Sequence, residues 1–145
     1  KDGSMNETSA ETLSVVVERD VPYPPEKVWR ALTQPHLIEE WLMKNDFKPD
    51  VGHQFNLSAD WGVIGCQVLE VEPNRMLSYT WGVFDLKSVV TWTLTPTSTG
   101  TRLRMEQSGF QPDQPRYYQG AKAGWPQFFA NLEQILARMD LSSSV

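Results

Sequence analysis

The sequence predicts an α+β domain: a curved antiparallel sheet wraps one long C-terminal helix, and two short helices follow the first strand. Three observations predict it. From Phe47 to Gln107, apolar residues recur with a period of two in successive runs separated by turn residues. Ahead of them, two segments restart at prolines and carry apolar residues three and four apart. At the far end, "GWPQFFANLEQILARM" places Trp125, Phe128, Phe129, Leu132, Ile135, Leu136 and Met139 at helical spacing. That stripe, about four turns long, needs an apolar surface of matching length, and one face of an antiparallel sheet supplies it.

In chain order, "TLSVVVERDV" puts Leu13, Val15 and Val17 on one face, which reads as a strand. Pro24 and Pro25 stop it and seed a helix, with Glu26 near the positive helix end and Val28, Trp29 and Leu32 as the expected buried stripe. "PHLIEEWLM" restarts a second helix at Pro35, with Leu37, Ile38, Trp41 and Leu42 apolar. Strand patterns follow in "HQFNLSA", "GVIGCQVLEVE", "LSYTWGV", "SVVTWTLTP" and "TRLRMEQ", with "PNR" and "TPTSTGTR" as turns. Together with the region after Phe47 they suggest about six antiparallel strands. Pro126 leaves two readings of the last helix: it starts at Trp125, or it runs from Tyr117 and breaks near Lys122 to Gly124.

The 145 residues suit one domain with a real core. A net charge of −5 argues against a nucleic-acid partner, which needs clustered Lys and Arg. No apolar run reaches the roughly 20 residues of a membrane span, and no signal-peptide pattern opens the chain. The single cysteine, Cys66, excludes an internal disulfide and suits a reducing cytoplasm. "KDGSM" reads like a cloning scar ahead of Met5, so the expected organisation is a scar and disordered N-terminus over 1–11, a single domain over 12–141 and a tail over 142–145.

Four segments carry a family resemblance: "VPYPPEKVWRALTQPHLIEEWL", "VLEVEPNRMLSYTW", "WTLTPTSTGTRLRMEQSGF" and "GWPQFFANLEQIL". In this order they resemble the activator of heat-shock-protein-90 ATPase homologue family of the START/Bet v 1-like (SRPBCC) superfamily. The resemblance implies the helix-grip fold, with a cavity between sheet and C-terminal helix. It covers about Leu13 to Arg138 and specifies no activity, because members of one fold differ in function.

The resemblance places Trp41, Phe47, Tyr79, Trp81, Trp92, Met105, Gln107, Phe110, Trp125, Phe128 and Phe129 between sheet and helix. They either fill a core or line a cavity. Tyr79 and Gln107 are the expected polar groups on inward faces, satisfied internally or orienting a ligand. Arg19 shares the face of Val15 and Val17, and stands at the cavity rim or pairs with Asp20 or Glu70. His36 and His53 have no partners at ligand spacing, so no metal or other cofactor is expected. Cys66 reads as an inert strand thiol. No acid–base pair is nameable, which favours a protein binding a small hydrophobic or aromatic molecule over an enzyme. A polyketide cyclase or hydrolase type of enzyme, seen elsewhere in the superfamily, is the second reading, and a chaperone-interaction module the third. The eukaryotic activators carry an additional N-terminal domain with no counterpart here, so chaperone stimulation is expected to be weak or absent. The two apolar faces of "GVIGCQVLEVE" permit a homodimer.

Overall fold

Leu13–Val21 forms the first strand, β1, and the next two elements are the short helices α1 (Pro25–Thr33) and α2 (Pro35–Trp41). Six strands follow: β2 (Lys44–Asn45), β3 (Gln54–Ala59), β4 (Gly62–Glu72), β5 (Met76–Val83), β6 (Leu86–Pro96) and β7 (Thr101–Phe110). The last element is the helix α3 (Pro115–Ser143). The computed structural model describes the backbone of residues 12–143 and the side chains of 12–139, so the expectations for 1–11 and for 144–145 lie outside the described residues. Ser142 and Ser143, read as tail, end the helix.

All seven strands lie in one antiparallel sheet of order β1-β7-β6-β5-β4-β3-β2. Chain order is a simple meander from β2 to β7, and β1 then closes on β7. This is the helix-grip arrangement. Alternation places Leu77, Tyr79 and Trp81 of β5, Val90, Trp92 and Leu94 of β6, and Leu103, Met105 and Gln107 of β7 on the buried face.

β4 departs from strict alternation. Ile64, Cys66 and Val68 are buried, while Val63 and Leu69 face outward, exposed by 54% and 40%. A register shift between Val68 and Glu70 then brings Val71 opposite Leu77, on the inner face. One extra residue in a strand re-aims every side chain after it. Val63, Leu69 and Val71 therefore do not form one outer face.

The α1 stripe also differs from its expectation. Val28, Ala31 and Leu32 are buried, and Trp29 is only partly buried against them. A helix turns 100° per residue, and here its inward direction falls between Val28 and Leu32, leaving Trp29 on the flank. Trp29→Ala is accordingly expected to cost about 1–2 kcal/mol, measured by urea denaturation, rather than the penalty of a core tryptophan. The clamp between the short helices is Trp41, whose Nε1 donates to the Ala31 carbonyl at 2.8 Å.

α3 runs continuously through Pro126, so neither sequence reading of its start holds. Its first ten residues, 115–124, place no side chain fully in the core, whereas Trp125, Phe129, Leu132, Ile135 and Leu136 are all buried. Gly120, Gly124 and Pro126 are poor helix residues in isolation. A tertiary contact and a local one hold them in the helix: Tyr118 packs edge-on against Phe110 of β7 at 5.8 Å, and one turn along α3 the Lys122 ammonium lies 5.2 Å from the Tyr118 ring centre.

Candidate functional site

The middle of the helix–sheet interface is a column of rings. Trp41 meets Trp92 at 5.5 Å, Trp92 meets Phe129 at 5.6 Å and Trp125 at 5.8 Å, and Trp125 meets Trp81 at 5.4 Å. Phe47, Phe55 and Tyr79 form a second group beside it, Phe47 edge-on to Phe55 at 5.0 Å and Phe55 edge-on to Tyr79 at 5.3 Å. Offset and edge geometries of this kind add to what area burial alone contributes.

Buried polar atoms in this interface are paired. The Trp92 Nε1 donates to the Tyr79 hydroxyl at 3.0 Å. The Trp125 Nε1 donates to Gln107 Oε1 at 2.7 Å, and Gln107 Nε2 donates to Ser88 Oγ at 2.9 Å. Ser88 in turn donates to the Trp81 carbonyl at 2.8 Å. Of the two sequence alternatives for Tyr79 and Gln107, internal satisfaction is the observed one. Burial pushes the Tyr79 phenol well above its ordinary range, so it stays protonated.

Beyond Trp81 and Trp125 the packing opens into a cavity of about 290 Å³. Its sheet side is Ile64, Trp81, Leu86, Gln107 and Phe110, and its helix side is Gly120, Ala121, Gly124, Trp125 and Phe128. Met43, Trp61, Val83, Arg116 and Tyr117 complete the wall. Trp61, from the β3–β4 turn, is 58% exposed, and its ring lies 6.5 Å from that of Phe84 in the β5–β6 turn. Asp85, next in that turn, accepts hydrogen bonds from the Tyr117 hydroxyl and from Gln114 Nε2, the latter at 3.1 Å. The Tyr117 bond holds the Asp85 carboxyl below its usual range.

Five of the eleven expected residues therefore wall the opening: Trp81, Gln107, Phe110, Trp125 and Phe128. Trp41, Phe47, Tyr79, Trp92, Met105 and Phe129 instead pack into solid core farther along the interface, each at most 5% exposed. Trp61, Arg116 and Tyr117 were missed. Trp61 and Arg116 lie outside the strand runs and the aromatic stripe, and Tyr117 entered only as a possible helix start, so periodicity gave no signal for them.

The Activator of Hsp90 ATPase homolog 1-like protein family model matches residues 22–137. The chain belongs to this family. Protein MLL2253 from Mesorhizobium loti is 71% identical, with a TM-score of 0.85, over 87% of this chain and 98% of its own. Protein BH1534 from Bacillus halodurans is 28% identical, with a TM-score of 0.77, over 86% of this chain and 98% of its own. DynU16, described as a putative protein in the dynemicin biosynthetic locus, is 28% identical with a TM-score of 0.78, over 86% of this chain and 47% of that protein. No curated protein matches.

In this Activator of Hsp90 ATPase homolog 1-like chain the remaining candidates stand apart from the cavity. Arg19 neither lines it nor pairs with Asp20 or Glu70. Its guanidinium lies 5.7 Å from the Phe129 ring centre and 4.0 Å from Glu133 of α3, because β1 runs beneath the helix. Asp20 pairs with Arg102 at 2.9 Å. His53 stacks on Phe55 and contacts the Asp46 carbonyl through Nε2 at 2.9 Å. Among the described residues no three His, Cys, Asp or Glu groups gather as a metal site, and no helix is long and apolar enough to cross a membrane.

Cys66 is buried on the inner face of β4, and burial first, then the nearby Asp46 charge, pushes its thiol from 9.0 up to about 12. Tyr79 shifts in the same direction. Both groups are acids whose folded-state values lie above their unfolded ones, so their contribution is complete at neutral pH. It is lost as pH rises from about 9 toward 12, where the unfolded chain ionises first. Urea midpoints are expected to fall steadily above pH 9, and Cys66→Ala to flatten the first part of that fall.

Proposed function

We propose that this chain binds a small hydrophobic or aromatic molecule in the cavity between the sheet and the first half of α3. The observation that carries this reading is an aromatic-walled opening beside an otherwise closed core, with Trp61, Trp81, Trp125 and Phe128 around one space of about 290 Å³. Ligand sites are concave, mostly apolar and furnished with few polar groups. The volume lies at the small end of such sites, so the occupant is small. A larger groove, about 550 Å³, runs along the surface between α1, α2 and the end of α3. Its walls include Arg30, His36 and Glu40, and Glu40 pairs with Arg138 at 2.9 Å, which suits water better than an apolar guest.

The cyclase or hydrolase reading has less support. The ionisable groups in the cavity wall are Arg116 and Tyr117, and the Tyr117 hydroxyl is committed to Asp85, which leaves no evident general base. The buried, unreactive thiol fits residence in the cytoplasm.

A filling substitution tests the proposal. Val90 is unsuitable because it is fully buried in packed core, where a larger side chain overfills. Gly124 is suitable: it lines the cavity, and a Cβ there meets nothing within 4 Å. Gly124→Leu is expected to leave the protein as stable or more stable by up to about 1 kcal/mol, since glycine is a poor helix residue. It is also expected to abolish the thermal stabilisation and tryptophan-fluorescence change that apolar probes produce in the parent. Unchanged probe binding by a folded Gly124→Leu variant would place the ligand elsewhere.

A further inference from the structure

We infer that the molecule held in the cavity carries an anionic group, a carboxylate or its equivalent, engaged by Arg116 at the mouth. This rests on the cavity reading above and specifies the chemical class of its ligand. Of the polar side chains in the wall, Gln107 has internal partners at both ends and Tyr117 donates to Asp85. Arg116 is the charged side chain of the wall.

Its situation differs from that of most arginines in the chain. Of the seven, Arg19, Arg75, Arg102, Arg104 and Arg138 each pair with a carboxylate. Arg116 pairs with none among the described residues. The Asp85 carboxylate, held by the neighbouring Tyr117 and by Gln114, forms no ion pair with it. Arg116 also sits in the first turn of the 29-residue α3, at the positive end of the helix dipole. A guanidinium offers a planar fork of donors that matches a carboxylate, at the edge of an apolar space that takes the rest of the molecule. The chain as a whole carries a net charge of −5, so the attraction of an anion to this place is local.

The test uses three matched probe pairs of equal carbon skeleton: 1-naphthoate with 1-naphthalenemethanol, 3-phenylpropionate with 3-phenylpropanol, and octanoate with octanol. Each is titrated calorimetrically into the parent, Arg116→Gln and Arg116→Lys. The acid is expected to bind the parent about five-fold tighter than its alcohol, with the preference shrinking as salt is added. Arg116→Gln is expected to equalise the two by weakening the acid alone, and Arg116→Lys to retain part of the preference. Equal affinities in the parent would overturn this inference and leave the cavity reading standing. So would an Arg116→Gln variant that loses alcohol and acid alike. Failure of every probe, acid and alcohol, to bind the folded parent would overturn both.

Discussion

Trp92→Ala is expected to remove about 3–5 kcal/mol of stability through lost transfer energy and the void left behind. Trp92 is fully buried, and its ring touches Trp41, Trp125 and Phe129. The substitution also strands the Tyr79 hydroxyl, which accepts the indole N–H, and a buried polar group without its partner adds about 1–3 kcal/mol. Domains of this size have about 5–15 kcal/mol in total, so the variant should be largely unfolded at physiological temperature or close to it. Trp92→Phe keeps most of the volume and isolates the polar part of the loss. Urea midpoints of the two variants separate the contributions. A shift below about 1 kcal/mol for Trp92→Ala would mean that the ring column is not the core of this fold.

Gly100→Ala is the second large effect, and it adds only one methyl group. A Cβ at Gly100 would collide with the carbonyl oxygen of Val21, and would lie 2.7 Å from the Tyr23 nitrogen and 2.9 Å from Pro22 Cα. These are backbone atoms at the exit of β1, fixed by the Val21–Thr101 pairing and by Thr101 Oγ1 donating to the Tyr23 carbonyl at 2.6 Å. Nothing flexible can yield, so the hairpin must move away from β1. The expected cost is at least about 2–3 kcal/mol, at the upper end for surface-turn substitutions. The same measurement checks it, with Gly120→Ala as a control: that Cβ meets nothing within 4 Å, and the change should stabilise slightly.

Which parts of this molecule the sequence makes legible follows from what periodicity encodes. Alternation reports which face a strand residue occupies, so Tyr79, Trp92, Met105 and Gln107 were placed correctly on the inner face. It does not report how far along the interface a residue lies. Trp81 and Trp92 share a face by pattern, yet one walls the opening and the other lies in solid core. Depth is set by where α3 crosses the sheet, which is a long-range matter. Local irregularity was equally hidden. The β4 bulge reverses Val71 without any glycine or proline to announce it. Conversely, Gly120, Gly124 and Pro126 signal a break that contacts with the sheet and the β5–β6 turn prevent. The mouth joins two distant parts of the chain, Trp61 of the β3–β4 turn and Arg116 and Tyr117 at the start of α3, and only tertiary structure brings them together.

The uneven burial along α3 has a consequence for how the molecule breathes. Residues 115–124 form the outer wall of the cavity but contribute no fully buried side chain, and Pro126 withdraws the backbone donor that would bond the Lys122 carbonyl. Such a segment opens locally at a small fraction of the global unfolding free energy. Amide hydrogens of residues 116–124 should therefore exchange with solvent deuterium well ahead of those from Leu132 to Leu136. A guest in the cavity supplies the apolar contacts that this stretch lacks, so occupancy should slow its exchange and leave the second half of the helix unchanged. On the proposed reading, capture of a guest and the last step of helix consolidation are a single event.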